Sequence, residues 1–323
     1  MTTYKRNRTR SLDEHAKALS NWHQRYDQIS RGKFDGYFAE AWFDKVQVLR
    51  EWTKPSVLQQ GRPENESLTI VVPISMSKPG LFCGQRFTSD SIIAFSSDYD
   101  FSFVAPADCD IVATSIPQFC LAQFGEDDPR INKKWLCGSA PMVLRPSTLC
   151  LHEIKSLLTK LLNRRSKCCH ANINDSDNAA IKDLILDKVA AAFSSSALST
   201  LSSRSFKGRS YIVRKVVEYA LSRIPDVPSI SDICRNVGVN RRLLNTSFHD
   251  VLGIRPLSYF RCLRLNGFQR ELIARYSDRV LIGDIATRWG FWHFSRLAKE
   301  YRELFGELPS ETLESSRKET NGR

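Results

Sequence analysis

No run of apolar residues approaches the ~20 that a membrane-spanning helix needs, so the 323 residues read as a chain that folds in water. The N-terminus, Met1 to Arg10, is basic but leads into polar Ser11–Lys17 with no apolar stretch, and a secretory signal is not expected. Paired cysteines are missing as well. The nine cysteines are an odd set, never take a Cys-x-x-Cys spacing, and sit among apolar neighbours. That pattern fits buried thiols of a cytoplasmic protein, not a disulfide framework. Neither a glycine-rich phosphate loop nor a Gly-x-Ser-x-Gly elbow occurs. Histidine is scarce: the first 204 residues hold only His15, His23, His152 and His170, none within the segments that read as strands. A metal-dependent enzyme would need two or three with a carboxylate. Cys168-Cys169-His170 is adjacent rather than spaced and has no fourth ligand nearby. The expectation is a protein that is not an enzyme and that holds no metal or cofactor.

What is present suggests two domains. The length exceeds one ordinary core, while 42% hydrophobic and 25% charged residues are near globular averages and exclude wholesale disorder. The formal charge is +12, and it is concentrated. Residues 205–323 hold 21 Lys and Arg against 13 Asp and Glu, an excess of 8, with arginine far ahead of lysine. Such a domain draws polyanions in by its long-range field, and the planar guanidinium fork suits phosphates and guanine edges.

Leu68–Ile74, Gly80–Phe87, Ser91–Phe95, Phe101–Val104 and Cys109–Ile116 are short and rich in β-branched or aromatic residues. Turn formers such as Lys78-Pro79-Gly80 and Pro106-Ala107-Asp108 separate them, and Val46–Trp52 reads as a further strand. Short punctuated strands suggest an antiparallel barrel or sandwich. After Pro146 the period becomes helical. Leu151, Ile154, Leu157, Leu158, Leu161 and Leu162 form one apolar stripe, and Ile181, Leu184, Ile185, Val189 and Phe193 form a second beyond polar Asn172–Asn178. A helical hairpin fits, packed either on the barrel or against a second copy of the chain. Serine-rich Ser194–Ser210 reads as a linker. The expected division is residues 1–195 for sensing and dimerisation, 196–210 as linker, and 211–323 for an all-α domain.

That last region matches itself. Ser231-Asp232-Ile233-Cys234-Arg235-Asn236-Val237-Gly238-Val239 aligns with Gly283-Asp284-Ile285-Ala286-Thr287-Arg288-Trp289-Gly290-Phe291, 52 residues later. Gly253-Ile254-Arg255-Pro256 aligns with Gly306-Glu307-Leu308-Pro309 at an offset of 53. A repeat of this length points to a duplicated supersecondary unit. In each copy an apolar pair four residues apart lies on a short helix with an aspartate in its first turn, where a carboxylate opposes the positive helix end. Gly238 or Gly290 follows, where a left-handed backbone is needed. The second helix is anchored by Leu243, Leu244, Phe248 and Val251, or by Phe294, Leu297, Tyr301 and Leu304. Helix, glycine turn, helix at this spacing is the helix-turn-helix motif, here in tandem.

Ile230–Arg264 followed by Ile282–Leu313 resembles the DNA-binding domain of the AraC/XylS family of bacterial transcription regulators. Three features carry the likeness: Gly290-Phe291, the run Phe294-Ser295-Arg296-Leu297-Ala298-Lys299-Glu300-Tyr301, and Phe305-Gly306-Glu307-Leu308-Pro309-Ser310-Glu311-Thr312-Leu313. Gly290-Phe291-Trp292-His293 and the Pro-Ser-Glu-Thr-Leu ending are closest to the XylS-like branch, and Tyr259–Leu265 resembles the family's long linking helix. The first recognition helix departs, with Asn245-Thr246-Ser247-Phe248 in place of a more basic run. The resemblance implies an α+β protein: a cupin-like barrel or sandwich with a helical hairpin, then a bihelical DNA-binding domain. It further implies double-stranded DNA and RNA polymerase as partners, a homodimer, an activator's output, and a small-molecule effector such as an aromatic carboxylate. Arg62 and Arg86 read as ordinary surface arginines, with pairing to that carboxylate as the alternative. A regulator or DNA-organising protein without a ligand input is the alternative.

With the anchoring residues inward, the opposite faces are the candidate DNA contacts. On the first recognition helix, roughly Asn240–Val251, these are Arg241, Arg242 and Asn245 for base edges, with Thr246 and His249 nearer phosphate. Asn240 is placed to cap that helix. On the second, roughly Trp292–Phe305, they are His293, Ser295, Arg296 and Lys299, with Arg302 at the margin. Trp292 reads as a residue packed at the helix start, with stacking against a sugar as the alternative.

Overall fold

The computed structural model describes residues 4–63, 66–127, 141–163, 175–196, 203–226, 228–275 and 281–321. They divide into two compact units, Met1–Tyr26 with Asp35–Leu201, and Asp27–Phe34 with Ser202–Arg323. Cys168-Cys169-His170 and the middle of the expected linker lie outside the described residues.

The first unit is a sandwich of two sheets. Seven strands form one, in the order β1 (Tyr4–Thr9), β3 (Gly36–Phe43), β4 (Val46–Thr53), β11 (Cys109–Pro117), β6 (Ser67–Ser75), β9 (Ile92–Ser96) and β12 (Met142–Leu144). Five form the other: β2 (Trp22–Gln28), β5 (Val57–Pro63), β10 (Phe101–Ala105), β7 (Gly80–Phe82) and β8 (Gln85–Phe87). Strand alternation sorts the larger sheet's side chains onto two faces. Ala39, Ala41, Phe43, Val46, Val48, Leu68, Ile70, Val72, Ile92 and Ala94 share one core with the helices α3 (Thr148–Asn163) and α4 (Asp175–Ser194). Leu49, Glu51, Val71, Phe95, Ile111 and Ala113 turn the other way, toward the smaller sheet. Two smaller helices, α1 (Leu12–Ala18) and α2 (Gln118–Asp127), follow β1 and β11.

The hairpin stripe therefore packs on its own sheet, through Leu151, Ile154, Leu158, Leu161 and Leu162 from α3 and Ile185, Val189 and Phe193 from α4. Leu184 departs from the expected stripe and is exposed. Gly80–Phe87, which reads as one strand, is a hairpin. Cys83 and Gly84 both have positive φ, 45° and 74°, and Phe82 pairs with Gln85 across them, the geometry that a two-residue turn demands.

The second unit is helical. It comprises α5 (Ser203–Ser222), α6 (Ile230–Val237), α7 (Arg241–Leu252), α8 (Pro256–Ala274), α9 (Ile282–Arg288), α10 (Phe294–Phe305) and α11 (Pro309–Asn321). Helix α5 begins inside the serine-rich stretch expected as linker, and from Tyr211 on, Val213, Val216 and Ala220 supply its buried side. Pro256 and Pro309 each open a new helix, where the missing N–H costs nothing and the fixed φ is already helical.

Candidate nucleic-acid interface and effector cavity

Helices α6 and α7 form one lobe, α9 and α10 the other, and α8 serves both. Near its start Tyr259 and Phe260 meet Phe248 edge-on, with ring centroids 5.5 and 5.7 Å away. Farther along, Phe268 meets Phe291 and Tyr301 at 6.1 and 5.6 Å. Both lobes close on the same kind of turn. Gly238 and Gly290 have φ of 74° and 72°, and Gly253 and Gly306 cap α7 and α10 in the left-handed region. Gly290 has a second reason to be glycine, because a Cβ there would lie 2.3 Å from the Pro225 carbonyl oxygen.

Local caps fix where each helix starts. Ser229 accepts from the Asp232 N–H while Asp232 accepts from the Ser229 N–H, a reciprocal capping box on α6. These Ser229 bonds hold the Asp232 carboxyl below its ordinary range. Asn240 Oδ1 accepts from the Leu243 N–H at 2.8 Å, so Asn240 caps α7. In the second lobe Arg264 does the complementary work at a helix end. It donates to the Trp289 carbonyl at 2.9 Å and to the Gly290 carbonyl, and lies 4.2 Å from the Phe291 ring centroid. A cation there opposes the negative pole of α9, although burial lowers its pKa from the ordinary arginine value.

The exposed faces carry the candidate contacts. Arg241, Arg242, Asn245 and His249 on α7 are exposed, and Thr246 is half-buried. His249 lies 3.4 Å from Asp250, and Arg209 also bonds Asp250. His293 precedes α10, and Ser295, Arg296, Lys299 and Arg302 line its outer face, all exposed. Arg296 folds along its own helix to Glu300, Nε to Oε1 2.9 Å, and Glu300 also takes Arg261 at 3.2 Å.

Two expected anchors are not anchors. Leu243 is 37% exposed and Phe294 is 54% exposed. Both sit in the first turn of their helix. Trp292, expected to pack at the helix start, is 62% exposed.

A segment without any sequence signal also belongs here. Asp27–Phe34, the last two residues of β2 and the loop toward β3, groups with the helical unit. Asn266 accepts from the Gln28 N–H at 2.9 Å and donates to the Gln28 carbonyl at 3.0 Å. Gln28 Nε2 and the Gly32 N–H both donate to the Leu304 carbonyl near the end of α10. Ion pairs of Asp27 with Arg270, Arg31 with Glu303 and Lys33 with Glu307 flank these bonds.

Between the two sheets of the first unit lies a small cavity lined by Leu19, Leu49, Val71, Ile111, Ala113 and the rings of Trp22, Phe82, Phe95, Phe101 and Phe103. The space open to a water centre is about 30 Å³, room for one or two waters. Its polar wall is Gln24, Glu51 and Gln59. Glu51 Oε1 takes His15 Nε2 at 3.1 Å and Gln59 Nε2 at 2.9 Å. Burial, then the Glu51 charge, drives the neighbouring Tyr26 hydroxyl well above its ordinary pKa. Arg62 and Arg86 are exposed and do not line this cavity.

Comparison with known proteins bears on this geometry. A family model described as a helix-turn-helix domain matches residues 233–315, which run from α6 into α11. A probable thc operon regulatory protein of Rhodococcus erythropolis is 34% identical over 102 residues, 32% of this chain and 31% of that protein. The XylDLEGF operon transcriptional activator 2 of Pseudomonas putida is 29% identical over 115 residues, 36% of this chain and 73% of that protein. The helical unit carries a helix-turn-helix domain similar to those of these operon regulators. The match thus spans about a third of the length of the Rhodococcus relative. Among solved structures, the AraC-like transcriptional activator CuxR aligns over 88% of this chain and 100% of its own, at 16% identity and a TM-score of 0.43. No described helix is long and apolar enough to cross a membrane, and the described residues hold no cluster of three or more His, Cys, Asp or Glu able to bind a metal.

Proposed function

We propose that this chain is a sequence-specific DNA-binding transcription regulator, an activator whose N-terminal sandwich takes a small-molecule effector. One observation carries the reading: two copies of one helix-turn-helix lobe share α8, and each leaves a cation-bearing face of its second helix in water. Helices α7 and α10 are the segments that would enter the major groove, with Arg241, Arg242, Asn245 and Arg296 at base edges and Thr246, His249, His293, Ser295 and Lys299 beside them. As an activator it would meet RNA polymerase on the promoter, and a homodimer would double the contacts. No catalytic role is assigned to any residue.

The test is binding to duplexes selected from a random pool by the purified protein. Arg296→Ala should lose about 1–3 kcal/mol, and only against duplexes carrying the preferred base at one position. The Glu300 pair it breaks is a surface i,i+4 pair worth about 0.3–0.5 kcal/mol to folding, too little to imitate that loss. Lys299→Ala should weaken binding evenly across sequences and reduce the salt slope by about one, as for a phosphate contact. A protein that binds every duplex alike would instead be a DNA-organising protein.

The cavity sets terms for the effector. Its lining is aliphatic and aromatic, and among the described residues its one acidic or basic member is Glu51, so an effector offering a hydrogen-bond donor fits better than an aromatic carboxylate, whose charge would meet Glu51 in a dry site. An aromatic ring enters only if the phenylalanine rings part. Benzyl alcohol at millimolar concentration should raise the unfolding temperature of the wild-type protein, as binding to the folded state requires, and Phe101→Trp should abolish the rise. Benzoate should leave it unchanged. A rise with benzoate alone would mean that the effector is a carboxylate after all.

A further inference from the structure

We infer that Phe294 reads the 5-methyl group of a thymine in the DNA segment entered by α10. The inference rests on the reading that α10 enters the major groove, and it names what one of its side chains recognises there.

Phe294 is the first residue of α10 and is 54% exposed, between exposed His293 and exposed Ser295 and Arg296. Residues at the N-terminal end of a recognition helix are those that reach base edges. Its ring nonetheless has a neighbour on one side. A Cβ built on Gly283 of α9 would stand 3.4 Å from Phe294 Cζ, ordinary van der Waals distance, so the ring lies beside the first turn of α9. The side chain is thus beside α9 yet half in water, flanked by groups that would face phosphates and bases. Phenylalanine has no hydrogen-bonding group, and against the base edges it can gain only from an apolar group. In the major groove of unmodified DNA that group is the thymine methyl. Every other edge presents donors or acceptors that a phenyl ring would desolvate without replacement.

The test uses the full chain and duplexes selected from a random pool, with each thymine replaced in turn by uracil, which removes the methyl and nothing else. Wild-type affinity should fall about fourfold at one thymine in the α10 half-site, roughly what burial of a single methyl supplies. Phe294→Ala should bind more weakly throughout and show no further loss at that position, while keeping its losses at thymines elsewhere. Phe294→Gln fills similar space with a polar group, and its preferred base in a repeated selection should move away from thymine at that position alone. A half-site with no uracil-sensitive position, or the same sensitivity in Phe294→Ala, overturns the assignment and leaves the DNA-binding reading intact. A selection that returns no preferred duplex overturns both.

Discussion

Replacing Asn266 by leucine should cost the helical unit about 2–6 kcal/mol, read as a lowered midpoint in urea at an unchanged slope. Asn266 is 1% exposed, and Gln28, whose backbone N–H and carbonyl it pairs, is fully buried. Asn266 also donates to the Cys262 carbonyl one turn earlier, at 2.7 Å. Leucine keeps the branched four-atom skeleton of asparagine, though with bulkier methyl groups, and it strands two buried backbone groups of Gln28. Each such group carries a penalty of about 1–3 kcal/mol, and the sum rivals the stability of a whole domain. The loss should also be visible locally. The Gly32 N–H, bonded to the Leu304 carbonyl at 3.0 Å, should exchange its hydrogen faster once Gln28 is no longer held. Asn266→Asp separates the two bonds. It keeps the acceptor for the Gln28 N–H, but as a carboxylate it sets a negative charge against two carbonyl oxygens. That carboxyl would have a raised pKa in the folded state, so its destabilisation should be full at neutral pH and shrink as the pH falls and the acid regains a donor. A leucine variant as stable as wild type would show that water replaces Asn266 at no cost.

The helical unit was far more legible in the sequence than the contacts that finish it. Gly238, Gly253, Gly290 and Gly306 stand at left-handed turns, a requirement that few other residues meet, so their spacing announced both lobes. The stripe through Leu244, Phe248 and Val251, and through Leu297, Tyr301 and Leu304, is buried as the helical period demands. The rule failed at Leu243 and Phe294, which sit in the first turn of their helices and stay exposed. In the sandwich, central strands such as β6 and β11 read clearly because both faces are buried. Edge strand β1, Tyr-Lys-Arg-Asn-Arg-Thr, is nearly all exposed and pairs only with β3, and β2 and β5 carry glutamine and arginine where a strand signal needs apolar residues. Asp27–Phe34 could not be placed by any local pattern. Its partner Asn266 lies 238 residues away, and a buried asparagine in a helix looks the same in sequence as an exposed one.

Gly267 should show a reversal of sign that local propensity does not foresee. It lies mid-helix in α8, where glycine is ordinarily about 1 kcal/mol worse than alanine. On that ground alone Gly267→Ala should stabilise. The structure predicts the opposite, because an added Cβ would fall 2.0 Å from Trp289 Cη2 and 2.2 Å from Cζ3. The indole cannot simply swing aside. Its Nε1 donates to Glu271 at 2.7 Å, its N–H bonds back to α9, and its carbonyl is held by Arg264. Overpacking against a fixed ring costs about 1–3 kcal/mol and occasionally more, so Gly267→Ala should be destabilising by about 1–2 kcal/mol and Gly267→Val by about 3. Duplex affinity should fall with it, since Trp289 precedes the Gly290 turn from α9 to α10 and a displaced indole shifts that turn. Shortening the ring decides the mechanism. In a Trp289→Leu background the clash is gone, and Gly267→Ala should become neutral or mildly stabilising, an interaction energy of about 2 kcal/mol between the two sites. If alanine stabilises the protein with Trp289 intact, the indole is free to move. The close approach of α8 and α9 would then have some cause other than the bare backbone at Gly267.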